Sequence, residues 1–192
     1  MASGHPTRER ILAEALRLFA ERGYRATTVG DIEEAAGLAP RRGSLYKHFR
    51  SKEDVLTAVL ERHAQRMEGM EAVVELMPAE DSDAEFLVLV RAGLGQLRRD
   101  RDLIRLTVRE GDRFPALAAY RERLVSVVLR GTAEWIRRQG RKDLDADALA
   151  AVFLGAVVHW RVEEALFGSA FPDVDEDRFV AALAHLWACL AD

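Results

Sequence analysis

Cysteine is almost absent: Cys189 is the single one among 192 residues. That excludes a disulfide framework within the chain and fits a reducing compartment, here the cytoplasm. Long apolar runs are lacking too. The longest uncharged stretches, 148–160 and 179–191, are 13 residues each, against the ~20 a membrane-spanning helix needs. The N-terminus has no apolar core of an export signal, so neither export nor a membrane span is expected. Strand-like alternation of useful length is missing, as is any internal repeat. No Ser/His/Asp spacing, phosphate-cradling glycine loop or CxxC pair occurs. His159 and Glu163 have the four-residue spacing of helix metal ligands, but no second histidine lies nearby and no cysteine cluster exists. No catalytic residue, cofactor or metal is therefore assigned. Catalytic groups can still converge from distant positions, so an enzyme remains an alternative with nothing positive behind it.

What is present reads as a soluble globular chain, 49% hydrophobic and 31% charged. The net charge of −4 by itself argues against nucleic acid. Its distribution reverses that. Residues 1–52 hold ten Lys/Arg against six Asp/Glu, net +4; the other 140 hold 18 against 26, net −8. A basic head on an acidic body is expected where only the head meets phosphate.

The head contains the most telling stretch, Thr27 to Lys52. It reads as a short helix, a turn and a second short helix. Thr28 suits the cap of the first, with Asp31 three residues on as a weaker version of the capping box, Asp standing where Glu or Gln is usual. Val29, Ile32 and Ala36 share one face, and Gly37 fits the positive-φ position past the helix end. In the second helix Leu45 and Phe49, four apart, anchor to a core. Ser44 and Lys47 then point outward, flanked by Tyr46 and His48. Arg41 and Arg42 lead in, with Gly43 between them and the helix; Arg50 and Lys52 lead out. Hydroxyls, an imidazole and cations on one exposed face suit phosphate oxygens and base edges in a major groove.

The wording around this stretch carries a resemblance. Arg10-Ile11-Leu12, Ala15, Leu18-Phe19, Gly23-Tyr24, Thr27-Thr28-Val29, Asp31-Ile32, Ala36-Gly37, Leu45-Tyr46, His48-Phe49 and Ser51-Lys52-Glu53 together resemble the DNA-binding domain of the tetracycline-repressor (TetR) family over roughly residues 8–56. One departure stands out. Ala39-Pro40-Arg41-Arg42 makes the link between Ala36-Gly37 and Leu45-Tyr46 about two residues longer than the family pattern. The resemblance implies that Thr28, Tyr46, His48 and Lys52 occupy phosphate- or base-contacting positions. The longer turn leaves the register of Gly43 and Ser44 open.

Helices are expected at about 7–22, from Ser51 to about Met77 before Pro78, and then at about 84–99, 102–111, 115–139, 145–167 and 176–190. The chain is thus all-α, with a DNA-binding domain over 1–52 and a helical ligand-binding and dimerisation domain over 53–192. In the first helix Leu12, Ala15, Leu16 and Phe19 form the buried stripe, widened by Ile11 and Leu18. The 145–167 helix is apolar on most of its circumference and must be covered on most sides. Its Leu149 and Ala156, with Phe179, Leu183, Leu186 and Leu190 of the last helix, form a candidate four-helix homodimer interface, the arrangement the resemblance also implies. A ligand cavity is expected between the long helix carrying His63 and Met67 and the helices carrying Val128, Trp135, Phe153 and Trp160. Arg109 and Glu163 are its further polar candidates.

These readings combine into an expectation: a dimer that binds two-fold-related operator DNA and releases it when a small hydrophobic effector binds. Two alternatives stay open. One is a helical binding protein or enzyme that does not use its head; the other is a DNA-binding regulator without a ligand.

Overall fold

The computed structural model describes residues 4–39, 43–75, 81–111, 113–140 and 143–190, with side chains over 6–39, 43–67, 81–111, 113–140 and 143–190. Arg41 and Arg42 lie outside the described residues, as do Met77 and Pro78; Met70 and Val74 lie outside the described side chains.

Among the described residues the chain is all-α. Its helices are α1 (Gly4–Arg22), α2 (Val29–Ala35), α3 (Lys52–Glu75), α4 (Ser82–Arg99), α5 (Arg101–Glu110), α6 (Pro115–Arg138), α7 (Ala146–Phe167) and α8 (Glu176–Cys189), with one 3-10 turn, Leu45–Lys47, between α2 and α3. None is long and apolar enough to cross a membrane. Local chemistry sets most of the ends. Asp81, Asp145 and Asp175 cap α4, α7 and α8 through their carboxylates. Gly23 and Gly168 take positive φ just past α1 and α7. Two expectations are corrected. The first helix, expected from about residue 7, already begins at Gly4; Pro6 is tolerated in a first turn, where its missing N–H has no intrahelical partner. The expected second short helix is only a 3-10 turn.

Two compact units form, Met1–Arg66 with Asp102–Arg121, and Met67–Arg101 with Glu122–Asp192. In the first, α1 buries Ile11, Leu12, Ala15, Leu18 and Phe19, while Leu16 is half-buried. Ile32 and Ala36, Leu45 and Phe49, and Val55, Leu56, Val59 and Leu60 of α3 are buried with them. Three helices of this size bury too little alone, and α3 is not their only backing. Arg109 of α5 donates from Nη1 to the Glu21 carbonyl at the end of α1, 3.1 Å. Glu110 accepts from the Tyr24 N–H. Phe114 meets the Tyr24 ring edge-on at 4.5 Å.

In the second unit α4 packs on α7 and α8. Phe86, Trp135, Phe153 and Trp187 form an aromatic centre, with Phe86 and Trp187 stacked at 5.2 Å. Arg161, 2% exposed, crosses this unit: its Nε donates to the Leu94 carbonyl at 2.9 Å and its Nη2 to Glu176 at 2.7 Å. A guanidinium buried among three helices is tolerated because it is paired and hydrogen-bonded.

Candidate nucleic-acid interface

Thr28 is where the site begins. Its hydroxyl accepts from the Asp31 N–H at 3.1 Å, and its own N–H and hydroxyl donate to Asp31 Oδ2, each at 2.7 Å. The capping box inferred from the sequence is formed. The Thr28 hydroxyl holds the Asp31 carboxyl below the usual aspartate range, helped by the Thr28 N–H and by Arg22. One residue earlier, buried Thr27 donates from Oγ1 to the carbonyls of Gly23, 2.9 Å, and Leu18, 3.2 Å. That ties the start of α2 to the end of α1.

Lys52 sits at the first turn of α3, and its ammonium is engaged inside the protein. Nζ donates to the Tyr24 and Thr27 carbonyls, each at 2.8 Å, and lies 4.2 Å from the centroid of the Tyr24 ring. Burial pulls this lysine below its ordinary pKa, and Asp31 opposes the shift. Lys52 therefore fixes where α2 starts relative to α3.

The turn between α2 and α3 is pinned from below. Glu33, 1% exposed, accepts the Leu45 N–H on Oε1 at 2.9 Å. Leu45 and Phe49 are both buried, so the expected anchors hold. Between them the backbone closes i→i−3 bonds, Lys47 to Ser44 and His48 to Leu45, before Phe49 bonds back to Leu45. Ser51 then opens α3 by accepting the Asp54 N–H on its hydroxyl, 3.0 Å. Five residues between one pin and the next cap leave room for a single turn.

The result is one small exposed surface. Tyr46 is 57% exposed and Lys47 is exposed; Ser44 and His48 are half-buried beside them. Gly43 leads in with φ +69, a conformation L side chains rarely adopt. So the structure brings Gly43, Ser44, Tyr46, Lys47 and His48 together, puts Thr28 at the start of α2, and gives Lys52 an internal partner set. Thr27, Glu33 and the Glu110 contact were not read from the sequence. Only Glu33 left a signal there, as a carboxylate on the apolar face of α2, four residues from Val29.

The other candidates are scattered. His63 is buried and hydrogen-bonds through Nδ1 to the Tyr120 hydroxyl; Arg109 is exposed on the carbonyls of Ala20 and Glu21. Both belong to the first unit. In the second, Trp135 donates from Nε1 to Glu85 at 2.8 Å, and Trp160 stacks on Phe179 at 4.4 Å. Trp135, Phe153 and Trp160 all lie in that unit's core, while Met67, Val128 and Glu163 are half-buried. Of the interface candidates, Leu183 is buried in the same core; Leu149, Ala156, Phe179 and Leu190 pack partly against it. Leu186 is 57% exposed, and Val152, two turns into α7, is 64% exposed.

The short helix α2, a turn and the pinned 3-10 element Leu45–Lys47, on an all-α frame, form a helix-turn-helix head. Residues 11–59 match the model of the bacterial regulatory proteins of the tetR family. Over 53 residues, 28% of this chain and 25% of the relative, the sequence is 55% identical to the transcriptional repressor KstR2 of Rhodococcus jostii. Over 80% of this chain and 82% of the relative it is 23% identical to the transcriptional regulator YvkB of Bacillus subtilis. A regulator from Saccharomonospora viridis, solved in complex with choline, superposes with a TM-score of 0.76 over 94% of this chain and 95% of its own, at 23% identity; that likeness is one of fold. Residues 11–59 thus carry the DNA-binding domain of the TetR family, and the matches support a transcriptional regulator of that family.

Proposed function

We propose that this regulator is a repressor that binds a two-fold-related operator as a homodimer and is released by a small hydrophobic ligand. The observation that carries the DNA part is the turn Gly43–His48: buried Leu45 and Phe49 hold it, and Tyr46 and Lys47 stand free of the protein surface. A turn so held presents hydroxyl, imidazole and ammonium groups without internal competition, as groove recognition requires. Repression is supported by the likeness of residues in this head to a repressor. In this reading residues 1–52 meet DNA and residues 53–192 hold the ligand and the partner copy.

Ligand control is supported by the solved relative that carries choline. Dimerisation is supported by the apolar side chains that α7 and α8 leave outside the core, Val152 and Leu186 above all. A two-fold pairing of α7 and α8 would cover such side chains. In a two-fold dimer two reading turns would meet successive major grooves, about 34–36 Å apart.

A ligand shifts this equilibrium only by its differential affinity for the two states. The test is reciprocal. An effector that lowers operator affinity must bind the DNA-bound protein less tightly by the same factor. Titrating it with and without operator measures both sides. Equal affinity in both states would leave a DNA-binding regulator without ligand control.

A further inference from the structure

The charges of the head are unequally occupied. Five of its six acids are engaged, all but Glu34: Glu14 and Glu21 by Arg17, Asp31 by Thr28 and Arg22, Glu33 by the Leu45 N–H. Glu9 is taken by Arg62 at 2.6 Å. Several cations are left over. Among the described residues Arg8, Arg10, Arg25, Lys47 and Arg50 form no side-chain ion pair.

Arg8 differs from the rest of that set. It is exposed on α1, and its guanidinium carbon lies over the Phe49 ring, 5.1 Å from the centroid. Phe49 is the buried anchor that closes the reading turn. A cation over a ring face is attracted by the ring's quadrupole and spends no N–H in the contact. All five guanidinium donors therefore stay available, in a fork that matches two phosphate oxygens. Holding the side chain in advance also lowers the ordering cost of using it.

We propose that Arg8, outside the helix-turn-helix and seated on Phe49, is a DNA-phosphate clamp of this protein. The same aromatic ring then fixes both the turn that enters the groove and the cation that grips the strand beside it. The partner is phosphate and not a base edge, because Arg8 stands on α1 and not on the turn; phosphates flank whatever element enters a groove. Arg10, Arg25 and Arg50 carry the same charge, but no ring or carboxylate fixes their side chains.

This inference rests on the DNA-binding reading, and its test needs no knowledge of the operator. Two labelled 30-base-pair duplexes of unrelated sequence are titrated with wild type, Arg8→Gln, Arg8→Lys and Lys47→Ala across about 50–200 mM salt, the range over which phosphate contacts dominate affinity. The expected result for Arg8→Gln is a salt slope shallower by about 0.9, the value of one lost phosphate contact on duplex DNA. The loss should be equal on both duplexes, and the melting temperature unchanged. Arg8→Lys should retain the wild-type slope. A wild-type slope in Arg8→Gln would overturn the proposal while leaving the DNA-binding reading intact, provided wild type binds. A loss that differs between the duplexes would assign Arg8 to base reading and overturn it as well. Wild type that binds neither duplex would overturn the DNA-binding reading, and this contact with it.

Discussion

At the scale of single residues, the start of α2 depends on Thr28 and its exchange of hydrogen bonds with Asp31. Thr28→Ala removes the cap and should cost about 0.5–2 kcal/mol in chemical denaturation near neutral pH. The acid limb carries a second signature. Because the folded Asp31 pKa is lowered, its contribution to stability is present above the unfolded value of about 3.9 and is lost as pH falls through the folded value. Thr28→Ala should flatten that part of the stability curve; an unchanged acid limb would mean the hydroxyl does not hold the carboxyl. Glu33 acts at longer range. Glu33→Ala strands the buried Leu45 N–H and should cost about 1–3 kcal/mol, the penalty for an unsatisfied buried donor. Stability equal to wild type would show that the turn does not need this pin. The difference in legibility is one of distance. Thr28 and Asp31 are three apart and advertise themselves as a capping pattern, whereas Glu33 and Leu45 are 12 apart and meet only after the chain folds back.

At the scale of elements, the helix boundaries of the body fall within a few residues of those expected, because Asp81, Asp145 and Asp175, with Pro115 in a first turn, are local signals. The second element of the helix-turn-helix is shorter than its spacing suggests, a 3-10 helix over Leu45–Lys47. Leu45 and Phe49 at a four-residue spacing fit a helical face, yet a single turn brings the same two residues to the core. Periodicity over five residues cannot separate one turn from a short helix. The backing of the head by α5 and the start of α6 was also not legible. The Tyr24 N–H and Glu110 are 86 residues apart, and no local pattern connects them. The low exposure of α7 read from its composition holds on the face carrying Phe153, Val157 and Trp160. Val152, on another face, is 64% exposed.

At the scale of the whole molecule, the exposed Val152 and Leu186 test the proposed dimer. Val152→Glu and Leu186→Glu place charge on residues exposed in one protomer, so each chain should still fold. Sedimentation at micromolar concentration should then show dimers for wild type and monomers for both variants, since an unpaired charge forced into an apolar contact is strongly unfavourable. Dimers in both variants would move the interface elsewhere. Leu183→Glu is a poorer probe, because Leu183 is buried in the unit's own core and its loss would report folding and not assembly.

The central claim is that the Gly43–His48 turn reads duplex DNA, and selection from a random-sequence duplex pool by the purified protein tests it most directly. The expected outcome is enrichment of one two-fold-related sequence, with half-site centres about one helical turn, 34–36 Å, apart. Lys47→Ala should bind the selected duplex more weakly, by about 1–3 kcal/mol if Lys47 reads a base, or with a salt slope reduced by about 1 if it holds phosphate. No enrichment over the starting pool, from protein shown to be folded, would contradict the claim.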